Sequence, residues 1–271
     1  MSWNRGARLV VGLVATLLVV SCSGDEASSG LDPASGEAGG AAPEGYRWVG
    51  DRGVVVAVPD WWTTGDTECL LPIEDTVYVE TGAVTDCAAS VAPTTPAEVS
   101  SLAVVDSGSA HGALLLDGLS PDGEVDGEPL LAGEHCGWLG EGVCRTVLAV
   151  PSRGVAFAVH VADPGDVDLT LVHDSLRLQP DGWTTVPLAL PSGRTPVWGD
   201  RPATTRQYAG VLRRAGLEVR VEPAPPPDPS STASGVVLPR GSLLGIEPAP
   251  GSPVEEGGSV VLTVAPSATW R

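Results

Sequence analysis

Lysine is missing altogether, and the 15 basic residues of this 271-residue chain are all arginine. That absence excludes every mechanism that needs a lysine amine: Schiff-base formation, the phosphate-loop lysine and the Ser-x-x-Lys acylation centre. Phenylalanine and methionine occur once each, so aromatic bulk falls to 8 tryptophans and 3 tyrosines. The expected use of the tryptophans is core bulk where Phe is scarce, with a sugar-stacking indole face as the other reading. Also lacking are a C-x-x-C, an H-x-x-x-H and a Gly-x-Ser-x-Gly. His135 beside Cys136 therefore has no metal-ligand spacing around it, and no serine sits on a nucleophile elbow. The Asp106-Ser107-Gly108 stretch ahead of His111 is expected to be a polar loop, because a trypsin-like arrangement needs a histidine far upstream and His111 is the first in the chain. Asp122, Glu124 and Asp126 alternate like the start of a calcium loop, but Gly133 stands where the bidentate glutamate belongs. A solvated acidic turn is the expectation there. His160 and His173 are expected to be structural, and no catalytic, cofactor-binding or metal-ligating residue is assigned.

What is present points outside the cytoplasm. Arg5 and Arg8 precede an apolar run, Leu9 to Val20, that ends in Val19-Val20-Ser21-Cys22. This is the order of an export signal, and at about a dozen residues the run falls short of the roughly 20 that a spanning helix needs. The last four residues resemble the lipobox of bacterial lipoproteins. The resemblance implies cleavage after residue 21 and a diacylglyceryl group on Cys22, and two chains give stable anchoring where one does not. The formal charge of -19 becomes more negative once Arg5 and Arg8 leave with the leader. Such a surface repels nucleic acid and anionic head groups. Neutral, cationic or sugar-like partners are expected, at an extracytoplasmic, lipid-anchored location on the cell membrane.

With Cys22 given to lipid, Cys69, Cys87, Cys136 and Cys144 remain. An even number in an oxidising compartment reads as two disulfides. Three connectivities are open, and locality favours Cys69 with Cys87 and Cys136 with Cys144.

The organisation expected is a leader (1–21), a disordered tether (22–45), an exported domain (46–180), a smaller domain (183–266) and a short tail. The tether stretch has almost no apolar side chain larger than alanine, so burial cannot offset ordering entropy. As a coil it reaches about 25 Å. Strands are expected over 53–62, 75–84, 144–151 and 154–163, the last two joined as a hairpin at Pro151-Ser152-Arg153-Gly154. A short helix is expected to begin at Thr95-Pro96-Ala97-Glu98, and another over about 165–176, where Val167, Leu171, Val172 and Leu176 form a stripe. The fold class is α+β: a mainly antiparallel N-terminal domain plus a small second domain. The ends of the larger one, "VVVAVPDWW" and "VDLTLVHDSLRL", resemble those of small exported lipoprotein domains of the PsbP type, a likeness of fold only.

In the second domain Tyr208, Val211, Leu212 and Ala215 fall at helical spacing, Gly216 stops the helix, and "LEVRVE" (217–222) alternates apolar Leu217, Val219 and Val221 with charge. Strands are expected in "SLLGIEP" and, after Gly257-Gly258, "SVVLTVA", packed as one helix on a three-stranded sheet. The runs "YAGVLRRAGLEVRV" and "LPRGSLLGIEPAPGSPVEEGGSVVLTVA" look like a PASTA domain, a small β-α-β-β module of bacterial cell-surface proteins. Ala215-Gly216-Leu217, the turn Glu247-Pro248-Ala249-Pro250-Gly251 and the strand Gly258 to Val264 carry the likeness. Its opening Val-Pro is matched by Val186-Pro187 or Thr195-Pro196, and residues 223–235 form a proline-rich insertion. The resemblance implies binding to peptidoglycan or muropeptides, or spacing at the wall. The usual catalytic companions, kinase and penicillin-binding domains, are excluded with their lysines. The function expected is a non-catalytic envelope lipoprotein. The alternatives are an enzyme with its active site in 46–180, or a subunit docking to another envelope protein.

Overall fold

The computed structural model describes residues 40–68, 71–82, 96–190, 192–225, 237–266 and 269–270. The leader, Cys22, most of the expected tether, Cys69, Cys87 and the proline-rich insertion beyond Pro225 lie outside them. The chain separates into Met1–Ser35 and a compact unit, Gly36–Arg271, to which all that follows belongs. The fold is mixed and strand-rich.

The compact unit opens with a hairpin of β1 (Tyr46–Asp51) and β2 (Val54–Pro59). Its two-residue turn Arg52-Gly53 has φ of 51° and 77°, the primed geometry that matches strand twist. Three two-residue strands follow, β3 (Thr63–Thr64), β4 (Thr67–Glu68) and β5 (Leu71–Pro72), then β6 (Thr76–Glu80) and β7 (Ser101–Asp106). Next come α1 (Ala110–Leu116), β8 (Ser120–Val125), β9 (Glu128–Cys136), β10 (Cys144–Val150), β11 (Val155–His160), α2 (Leu169–Asp174) and β12 (Arg177–Leu178). One sheet runs β1-β2-β12, and a larger one runs β3-β6-β7-β11-β10-β9-β8. Pairing in the larger sheet is antiparallel except for β3 with β6 and β6 with β7.

The large sheet has two dissimilar faces, as the two-residue period of a strand requires. One presents Val77, Leu102, Val104, Leu148 and Phe157 to β1, β2 and α2, forming the main core. The other presents Ala103, Ala149, Ala156 and Ala158, and there α1 lies against small side chains through Leu115. Every residue of β2 and of β11 is buried, which accounts for their unbroken apolar sequences.

Several local expectations need correction. Of the stretch expected to open a helix, the described residues Pro96–Glu98 form a single 3-10 turn. The helix expected from 165 begins at Leu169, because the Asp168 carboxylate caps it by accepting from the backbone N–H groups of Thr170 and Leu171. The polar loop expected after Asp106 is a turn, and it leads straight into α1, whose cap Ser109 accepts from Gly112 N–H. The acidic turn joins β8 to β9, with Asp126 and Gly127 at φ of 50° and 84°. Asp122 there pairs with His173 and Asp126 accepts from Leu178 N–H. Of the described tryptophans only Trp62 is core bulk. Trp61 and Trp198 are exposed, and Trp48 lies beneath the Arg177 guanidinium.

The C-terminal elements are β13 (Trp183–Thr185), α3 (Pro202–Arg214), β14 (Glu218–Pro223), β15 (Val237–Leu238), β16 (Leu243–Glu247), β17 (Pro253–Glu255), β18 (Ser259–Val264) and β19 (Thr269–Trp270). The expected helix on a three-stranded sheet is found, in the order β14-β18-β16 with β14 parallel to β18. Proline at the first helical position opens α3. At its other end Gly216, φ 81°, donates to Arg213 O and Leu217 to Leu212 O, the paired bonds of a Schellman stop. Leu217 and Leu212 then enter one core with Tyr208, Val260 and Leu262.

The turn at Pro250-Gly251 meets the first hairpin. Gly50 N–H donates to Gly251 O at 2.9 Å, and a β-carbon on Gly251 would stand 2.9 Å from Val49 and 3.1 Å from Leu188. Leu188 itself belongs to the main core. The closing hairpin is thus seated on β1.

Candidate functional site

Two places concentrate chemistry. The first is a buried polar cluster on the alanine face of the large sheet. Register places Tyr78 and Glu80 on β6, Arg145 on β10 and His135 opposite Arg145 on β9, and α1 delivers His111 from above. Glu80 is 3% exposed and Arg145 1%, which without partners would cost several kcal/mol per ion. The partners are present. Arg145 donates to both Glu80 oxygens, Tyr78 Oη donates to Oε2 at 3.0 Å, and His111 Nε2 meets Oε1 at 2.5 Å. Burial opposes ionisation of Glu80, yet the His111 and Arg145 hydrogen bonds outweigh it and hold its pKa below the ordinary range. Burial, followed by the Glu80 charge, raises the Tyr78 phenol well above its usual value. His135 is lowered by burial and then by Arg145. Trp138 covers His111 with ring centroids 4.4 Å apart.

Chemically this is a carboxylate whose two oxygens are taken by a bidentate guanidinium, a phenol and an imidazole. Such saturation suits an ion pair that fixes strand β6 to β10 and α1. It leaves Glu80 poorly placed to act as a base.

The second place is an open cleft of about 480 Å³ in the C-terminal part. One wall is α3, which offers Thr205, Arg206, Ala209 and Arg213. Val221 of β14 and Val264 of β18 form an apolar floor, and the turn at Arg240-Gly241 completes the lining. Val221 was expected on a buried face with Leu217 and Val219. It is 51% exposed, because α3 covers the sheet at Leu217 but leaves the carboxyl ends of the parallel pair open. Thr205 Oγ1 donates to Gly241 O at 3.1 Å and fixes the turn against the helix. A smaller cleft of about 270 Å³ includes Thr64, Asp66, Trp198 and Ile246.

Of the four cysteines expected to pair, Cys136 and Cys144 are bonded across the β9–β10 hairpin as expected. The other expected pairing, Cys69 with Cys87, and Cys22, the expected site of lipid attachment, lie outside the described residues. His160 is a buried strand residue between the carbonyls of Cys144 and Ala97. His173 sits on α2, bonded to Asp174 and Asp122. Among the described residues no group of three or more His, Cys, Asp or Glu side chains is placed to hold a metal, and no helix is long and apolar enough to cross a membrane.

Sequence reasoning missed Tyr78, Glu80 and Arg145 entirely, since no local pattern marks them. Arg206 and Arg213 had a signal in their seven-residue spacing on one side of α3, with Ala209 between them. No family model, curated protein or solved structure gives a significant match to the chain.

Proposed function

We propose that the chain is a non-catalytic lipoprotein of the bacterial cell envelope, anchored to the membrane through Cys22, whose C-terminal part is a PASTA-like module that binds peptidoglycan or spaces the protein against the wall. The observation that carries this reading is in the C-terminal part. The stretches that bear the family likeness fold together as one capped helix on a three-stranded sheet, with an open cleft between them. The enzyme alternative finds its strongest titratable cluster in Glu80, His111 and Arg145, whose polar atoms are turned on one another. That arrangement favours the non-catalytic reading.

The test is sedimentation of the full chain, in detergent, with purified cell wall, together with chromatography of muropeptides incubated with it. The expected result is co-sedimentation with unchanged muropeptides. Persistence in the supernatant at every wall concentration would make the module a spacer or a protein-docking element. Turnover of the muropeptides would establish the enzyme.

A further inference from the structure

The cleft beside α3 has a charge opposite to that of the molecule around it. The chain carries a formal -19, yet Arg206, Arg213 and Arg240 all line this one cavity and no carboxylate does. Among the described residues none of the three makes an ion pair, whereas Arg52, Arg145, Arg153 and Arg194 each meet a carboxylate. The nearest acidic side chains on the floor strand, Glu218 and Glu222, alternate with Val219 and Val221 and so occupy the sheet's other face.

Helical spacing determines the shape of what fits. Arg206 and Arg213 are two turns apart, about 10 Å along the axis, and Arg240 adds a third guanidinium from the turn that is bonded to the start of α3. Between them lie Ala209, Val221 and Val264, an apolar floor. A cavity of about 480 Å³ is within the range of small-molecule sites, roughly 300–1,000 Å³. Guanidinium groups select planar or tetrahedral oxyanions through paired N–H bonds, which a bulk positive charge does not.

We infer that this cleft binds a small ligand with two or more oxyanion groups, carboxylate or phosphate, spaced along a body with an apolar face. The inference deepens the wall-binding proposal and rests on it for the ligand's source, but the chemistry of the site comes from the cleft alone. Neutral glycan belongs elsewhere on the surface, and the charged appendages of wall material belong here.

The experiment is titration of the full chain in detergent with tricarballylate, pyrophosphate and neutral chitotriose, followed by competition with purified muropeptides. The expected result is binding of at least one oxyanion probe, with muropeptides displacing it. The Arg206→Gln and Arg240→Gln variants should each weaken binding about tenfold, the scale of one lost charge-assisted hydrogen bond. The probe that binds better, tricarballylate or pyrophosphate, decides between carboxylate and phosphate. Arg214→Gln and Arg220→Gln, which remove charge outside the cleft, should leave affinity unchanged. Equal weakening by those two would reduce the effect to diffuse attraction and overturn the site. Muropeptide binding without any oxyanion binding would also overturn it while leaving the wall proposal standing. Oxyanion binding that muropeptides cannot displace would uphold the site and remove the wall as its source.

Discussion

Glu80 shows how one residue can order a whole face of the molecule. Its carboxylate joins β6 to β10 through Arg145 and to α1 through His111, so removing its charge leaves a buried guanidinium without an anion. Breaking such a pair costs about 3–5 kcal/mol. Glu80→Gln is therefore expected to lower stability at pH 7 by an amount in that range, measured by urea unfolding. The pH dependence has a definite sign. The folded-state pKa of Glu80 is depressed, so its contribution is complete above the unfolded value, about 4.3, and is lost as pH falls through the folded value. The gap between parent and variant should narrow as pH falls below about 4.3, because the parent then protonates a carboxylate that the variant does not have. A gap of constant width would show that the variant acts through packing instead.

At the scale of elements, the β9–β10 hairpin does two things. It carries Arg145 into the sheet, and its loop places Trp138 on His111. Cys136 and Cys144 face each other across the ladder and close that loop. By loop-closure entropy the bond is worth about 2–3 kcal/mol. Replacing both with serine should lower stability by that amount and, by releasing Trp138 to solvent, shift tryptophan emission to the red. Unchanged emission would mean that the ladder alone holds the loop. Peptide mapping of the same material without reductant tests Cys69 with Cys87, where free thiols or a crossed pairing would refute the local scheme.

The elements legible in the sequence were those whose cause is local. The apolar runs of β2, β10 and β11, the proline start and glycine stop of α3, and the hairpin at Gly154 all follow from neighbours within a few residues. The Glu80 cluster was not legible, because His111 is 31 and Arg145 is 65 positions away and only strand order brings them together. The α1 helix was hidden by the same token: its seven residues include a glycine, its Ser109 cap stands in a polar stretch, and its burial comes from alanines on β7, β10 and β11. The arginine cleft needed both the helix face and the turn at Arg240, which meet only in three dimensions.

For the whole molecule, the decisive quantity is charge against anchorage. A chain of formal charge -19 is repelled by anionic lipid head groups, and no described helix crosses a membrane. The proposed membrane association rests instead on Val19-Val20-Ser21-Cys22, the segment that resembles a lipobox. A diacylglyceryl group on Cys22 resists washing with salt, because it holds by buried methylene groups at about 0.8 kcal/mol each and not by charge. The Cys22→Ala variant is expected to leave the membrane fraction for the soluble one, while the parent stays bound at high salt. If the variant remains in the membrane fraction as firmly as the parent, lipid at Cys22 is not the anchor. If it leaves the membrane yet still sediments with purified wall, attachment and wall binding are separable. The acidic body would then be held near the membrane by its lipid alone, with the α3 cleft free to engage the anionic groups of the wall.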